Sequence, residues 1–124
     1  MTNEKLRVAI IGCGRMGQEY AEVYSTFENT EIVAIAEYND ERRKAVGLRF
    51  GVNALYRNAE ELFDNVVPDL AAVVLPGKYI KDAVIAAAEA GVRGVSSDKP
   101  VAARLSDADE IVEVHIFANR LIEQ

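Results

Sequence analysis

The chain has 124 residues, half of them hydrophobic, and a formal net charge of −6. That length suits one domain, 1–124, with apolar residues enough for a packed core. The acidic balance excludes nucleic acid and anionic membrane as main partners, because polyanion binding draws on clustered Lys and Arg.

The first apolar run, Leu6 to Ile11, reads as a strand that ends in the glycine loop Gly12-Cys13-Gly14-Arg15-Met16-Gly17. Arg15 to Phe27 then carries Met16, Tyr20, Val23, Tyr24 and Phe27 at helical spacing. A second strand is predicted over Glu31 to Ala36, and Asp40 is the expected N-cap of a helix from Glu41 to Phe50 that Gly51 stops. A short third strand is expected at Ala54 to Tyr56 and a small helix from Asn58 to Phe63. Leu70 to Leu75 is almost continuously apolar, as a parallel strand buried on both faces should be. Pro76-Gly77 breaks it, an Ala-rich helix runs to Ala90, and Gly91 ends that helix. Val92 to Ser97 reads as the fifth strand, and Ser106 opens a last helix with Asp107 and Asp109 in its first turn. Strand–helix alternation of this kind predicts an α/β fold, a doubly wound parallel sheet with right-handed crossovers.

Gly12, Gly14 and Gly17 make the G-x-G-x-x-G of a dinucleotide-binding fingerprint, placed after a strand and opening a helix. Gly12 permits the tight turn, Gly14 lets backbone approach a pyrophosphate, and Gly17 lets helix and strand pack closely. The helix start, with Arg15 and Met16 in its first turn, offers unpaired N–H groups to phosphate. Glu37 lies twenty residues beyond Gly17, where the fingerprint places the acid that accepts the ribose hydroxyls. Its charge would repel a 2′-phosphate, so NAD is expected over NADP. Arg42 and Arg43 are of a type that elsewhere holds a 2′-phosphate; here they read as a solvated helix face. Cys13 reads as a packed loop residue, and Tyr79 and Lys81 as candidate lining of the cofactor cleft or plain surface.

One cysteine and one histidine make neither a disulfide nor a metal-ligand spacing, so no metal is expected. The polar start Met1–Lys5 lacks a signal-peptide apolar region, and runs such as Ala83 to Ala90 are too short to span a bilayer. The expected setting is cytoplasmic.

Four segments together resemble the glucose–fructose oxidoreductase and inositol dehydrogenase family (Gfo/Idh/MocA). They are Arg7 to Gly17, Glu37 with Asn39-Asp40-Glu41-Arg42, Leu75-Pro76-Gly77, and Asp98-Lys99-Pro100. The resemblance covers about residues 6 to 113 and implies a nicotinamide-dependent oxidation of a sugar or cyclitol hydroxyl. It makes Lys99 the candidate catalytic residue, and Leu75, Pro76, Asp98 and Lys99 candidates for cofactor contact. The sequence departs from the family where Asp98 replaces a Glu, Leu75 replaces a Thr, and Ile80 stands in place of a frequent His. The family also has a second, mostly β substrate domain, which these residues lack, so the chain alone is not expected to transfer hydride. A sensor or accessory module that binds NAD without catalysis is the competing reading, and a homo-oligomer covering exposed apolar surface is left open. The tail at 114–124, His115 included, keeps helical spacing but does not resemble the family.

Overall fold

Alternating apolar runs and amphipathic segments fold as a strand–helix series in the computed structural model, which describes residues 5–97. The expected helix from Ser106 and the 114–124 tail lie outside those residues. In chain order the elements are β1 (Leu6–Ile11), α1 (Arg15–Thr26), β2 (Thr30–Ala36), α2 (Asp40–Phe50), β3 (Leu55–Tyr56), α3 (Ala59–Asn65), β4 (Leu70–Val73), α4 (Gly77–Ala90) and β5 (Gly94–Ser97). All four strand pairs are parallel, and the sheet order is β3-β2-β1-β4-β5. The winding therefore reverses between β1 and β4, which is where doubly wound sheets bind their ligands.

Side chains from alternate strand positions enter two cores, one on each face of the sheet. Val8, Ile10, Cys13, Ile35, Leu70 and Ala72 pack under α1 and α2 with Ala21, Tyr24 and Val46. Ala9, Ile11, Ala34, Ala36, Ala71, Val73 and Val95 pack under α3 and α4 with Leu62, Phe63, Ile80, Val84 and Ala87. Burial on both faces explains why β4 reads as an unbroken apolar run. The alternation has one interruption. The register between β1 and β2 shifts between Val8 and Ala9, whose partners are Ile32 and Ala34, so Val33 is an extra residue in β2. Val33 and Ala34 consequently join the same core.

Several predicted boundaries move. Asp40 is not the N-cap of α2 but its first residue; Asn39, in extended backbone, caps the helix by accepting from the Arg42 N–H at 2.9 Å. Asn58 likewise stands outside α3 and accepts from the Glu61 N–H at 2.8 Å. A cap must leave its backbone extended to reach the third amide, and these asparagines do so. Gly51 ends α2 as expected, at φ +69° with its N–H on the carbonyls of Gly47 and Leu48. The fourth and fifth strands are shorter than their apolar runs, because pairing stops at Val73–Ser97 and begins at Leu70–Gly94.

Among the described residues no helix is long and apolar enough to cross a membrane. Ile10 is wholly buried in the face under α1 and α2. Ile10→Ala is expected to cost about 2–5 kcal/mol in urea unfolding, the usual cost of a core cavity.

Candidate functional site

The carboxyl end of β1 meets the start of α1 in the glycine loop, and sterics account for two of its three glycines. Gly12 has φ +95°, and a Cβ on it would lie 2.2 Å from the Val74 carbonyl oxygen and 2.9 Å from the Leu75 side chain. A Cβ on Gly17 would lie 1.9 Å from the Gly12 carbonyl oxygen. Gly14 differs. Its φ is −71°, and a Cβ there would meet nothing within 4 Å. Among the described residues nothing requires a glycine at this position, which stands at the N-cap of α1. Gly14 supplies no side-chain cap, and no acid occupies the first turn of α1. The orphan N–H groups of that helix start are thus left for an anion, with the partial positive charge of the helix behind them.

Glu37 follows β2 and is buried beside this loop. Its Oε1 accepts from the Cys13 N–H at 2.8 Å, and its Oε2 from the Asn39 N–H at 2.9 Å. The carboxylate thereby joins the glycine loop to the turn before α2. Gln18 holds the loop from the other side, donating from Nε2 to the Cys13 carbonyl at 3.0 Å. The expectation that Arg42 and Arg43 share a solvated face is corrected for Arg43. Its guanidinium donates to the Glu37 carbonyl at 2.9 Å and to Asp40 Oδ1 at 2.7 Å, with 14% of the side chain exposed. The carbonyl of a residue leaving the sheet lacks a ladder partner, and Arg43 reaches it from the first turn of α2. Beside that bond, Arg43 also holds the Asp40 carboxyl below its ordinary pKa. Arg42 is half-exposed, with Nη1 at 3.7 Å from Glu37 Oε2.

The structure brings Gly12, Gly14, Gly17, Glu37 and Leu75 together at the carboxyl edge, where the winding reverses. Leu75 is half-buried against Gly12, while Pro76 is exposed at the N-cap of α4. Arg15 and Met16 are exposed on the first turn of α1, with Arg15 in a loose pair with Glu19 at 3.7 Å. Ile80 is buried under α4 within the core, so its side chain belongs to the packing rather than the cleft. Tyr79 is exposed, with the Lys78 ammonium 5.0 Å from its ring centroid. Asp98 and Lys99 lie outside the described residues. Sequence reasoning missed the Cys13–Glu37 bond and the Arg43 clamp. The Asn39 cap did have a signal, an Asn three residues before the amide it serves.

Cys13 is buried, and desolvation, then the Glu37 charge, push its thiol pKa up to about 12, against a small opposing effect of Arg42. It is a packing residue and no nucleophile at neutral pH. Among the described residues no three His, Cys, Asp or Glu side chains converge on a metal position.

A glycine loop opening a helix at the switch point of a parallel sheet, with an acid ending the neighbouring strand, defines a dinucleotide-binding domain of Rossmann type. The chain belongs to the Gfo/Idh/MocA family: that oxidoreductase family's NAD-binding Rossmann-fold model matches residues 6–121. It is 31% identical over 111 residues to a D-apiose dehydrogenase of Paraburkholderia graminis, covering 90% of this chain and 29% of that protein. It is 28% identical over 108 residues to a myo-inositol 2-dehydrogenase of Thermotoga maritima, covering 87% and 32%. An oxidoreductase from Agrobacterium radiobacter, solved with NAD+, L-tartaric acid and magnesium, superposes with a TM-score of 0.80 at 29% identity. That match covers 93% of this chain and 33% of the other. The chain spans about a third of the length of these relatives.

Gly17→Ala should destabilise the fold by at least about 1–3 kcal/mol, since its methyl meets backbone that cannot yield. Gly14→Ala should stay within about 1 kcal/mol of the parent; paired urea titrations decide this. Cys13 should resist alkylation at pH 8 in the folded chain and react once urea unfolds it. Because folding raises its pKa from 9.0 to about 12, its contribution to stability is intact below pH 9. Between pH 9 and 12 the unfolded thiol ionises first, so that contribution falls as pH rises. A Cys13→Ala variant should remove this part of the alkaline loss of stability.

Proposed function

We propose that residues 1–124 form one cofactor-binding domain of an oxidoreductase acting on a sugar or cyclitol hydroxyl, with NAD preferred over NADP. The observation that carries this reading is Gly14, the glycine that packing does not require, open at the uncapped start of α1. A diphosphate fits there because a side chain would fill the space and because the helix start presents unpaired donors. Gly12 and Gly17 shape the turn, while Arg15 and Met16 supply amides of the first helical turn. Glu37, buried and fixed by two backbone N–H groups, would accept the ribose hydroxyls on its remaining lone pairs. Leu75 and Pro76 would wall the cleft from the side of β4.

The bound nicotinamide would supply the hydride acceptor; this chain binds and orients it. Lys99, two residues after β5 ends, is the candidate to orient the reacting hydroxyl and to stabilise negative charge growing on its oxygen. Asp98 beside it would help place that lysine. Like family members, the chain would need a substrate domain to enclose the nicotinamide and exclude water, so no turnover is expected from it alone.

The decisive measurement is calorimetric titration of the full chain and a Gly14→Val variant with NADH and NADPH. The expected outcome is tighter binding of NADH, lost in a variant that remains folded by circular dichroism. A folded parent chain that binds neither dinucleotide would overturn the assignment.

A further inference from the structure

On the sheet face opposite α1 and α2, the helices α3 and α4 leave a groove of about 510 Å3 between them. Its floor is apolar, with Phe63 and Ile85, and its walls carry four carboxylates, Glu60, Asp64, Asp82 and Glu89. No Lys or Arg lines it, and among the described residues none of the four carboxylates is in an ion pair. Uncompensated like charges around a wet apolar floor favour a visitor that brings a cation and an apolar anchor together. The other face of the sheet presents such a surface. α2 draws four Lys and Arg from its eleven residues against two acids. Arg43 is committed to the Glu37 carbonyl and Asp40, and Arg49 to Glu22 and Gln18. Lys44 is exposed one turn before Leu48, so the two share the outer face of α2. Leu48 is 87% exposed, more than any other large hydrophobic residue described.

We propose that these two surfaces meet between copies of this chain. Leu48 of one molecule seats on the Phe63 and Ile85 floor of the next, and its Lys44 enters among the four carboxylates. The two surfaces differ and lie on opposite faces of the sheet. A molecule engaged through its α2 therefore still offers its own groove, and association runs head to tail instead of stopping at a two-fold dimer. The net charge of −6 on every copy opposes approach. One anchor in a groove of this size also makes a small interface, so the association is weak and reversible.

The test is sedimentation equilibrium of the full chain as its concentration is raised into the millimolar range. The average mass of the parent should climb past that of a dimer. Leu48→Ser, which removes the anchor, and Glu89→Lys, which spoils the groove, should each weaken self-association by about tenfold or more. An equimolar mixture of the two variants should associate again but stop at a 1:1 dimer. In that mixture the one sound groove and the one sound α2 surface stand on different molecules, and the contact between them leaves nothing to extend. Should Leu48→Ser fail to fold by circular dichroism, Lys44→Ser, also at an exposed position, takes its place. A parent that stays monomeric or saturates at a dimer overturns the proposal. So does an association that these substitutions leave unmoved, or a mixture no heavier than its separate parts.

Discussion

The start of α1 rests on the end of β1 with no space between them for a methyl group, as the 1.9 Å from a Gly17 Cβ to the Gly12 carbonyl shows. This contact sets the height of the helix above the sheet. From it follow the direction in which the first-turn amides point and the position of Cys13, whose side chain fills the core beneath. Gly12 meets β4 just as closely, through Val74, so the loop is fixed against two neighbouring strands. A loop held this way keeps its N–H groups oriented before any anion arrives, which lowers the ordering cost of binding.

Glu37 extends the same rigidity to β2. A carboxylate buried in a protein of net negative charge would be costly without partners, and its partners here are backbone donors that no side-chain change short of proline can remove. Arg43 then holds the carbonyl of the same residue. The acid is thus anchored at both its carboxylate and its main chain. Its charge is a permanent part of the cleft rather than a group recruited by the ligand. The proposed preference for NAD rests on that permanence.

Much of this architecture is legible in the residues. The glycine loop, the acid after the second strand and the apolar run at β4 each carry a local physical signature, and each stands where its signature implies. Other features depend on how distant segments meet. Arg42 and Arg43 are adjacent and alike in sequence, yet the rotation of α2 sends Arg43 into a clamp and leaves Arg42 half-exposed. Ile80, which stands where the resemblance implies a frequent His, lies on the buried stripe of α4. Asp40 and Asn39 are both good caps, and only the backbone leaving β2 chooses between them. The two-residue strand β3 pairs with β2 at Ile35 and Ala36 alone, too short a stretch for periodicity to delimit.

The extra residue in β2 has a consequence for descent with modification. Below the irregularity Ile32 faces the α1 and α2 side; above it Ile35 faces that side again, with Val33 and Ala34 both turned to the opposite face. Counting onward from Ile35, the α1 and α2 side is the one on which the Glu37 carboxylate emerges to meet Cys13. Keep that residue but pair the strand without the irregularity, and strict alternation would carry position 37 to the other face, away from the glycine loop; remove Val33 itself, and alternation from Ile32 through Ala34 leaves Glu37 where it is. Strand length and bulge are therefore coupled in this strand. A lineage that loses the extra residue and the bulge together keeps its acid in place, whereas one that changes the length by one residue and leaves the bulge unaltered turns the acid away from the loop.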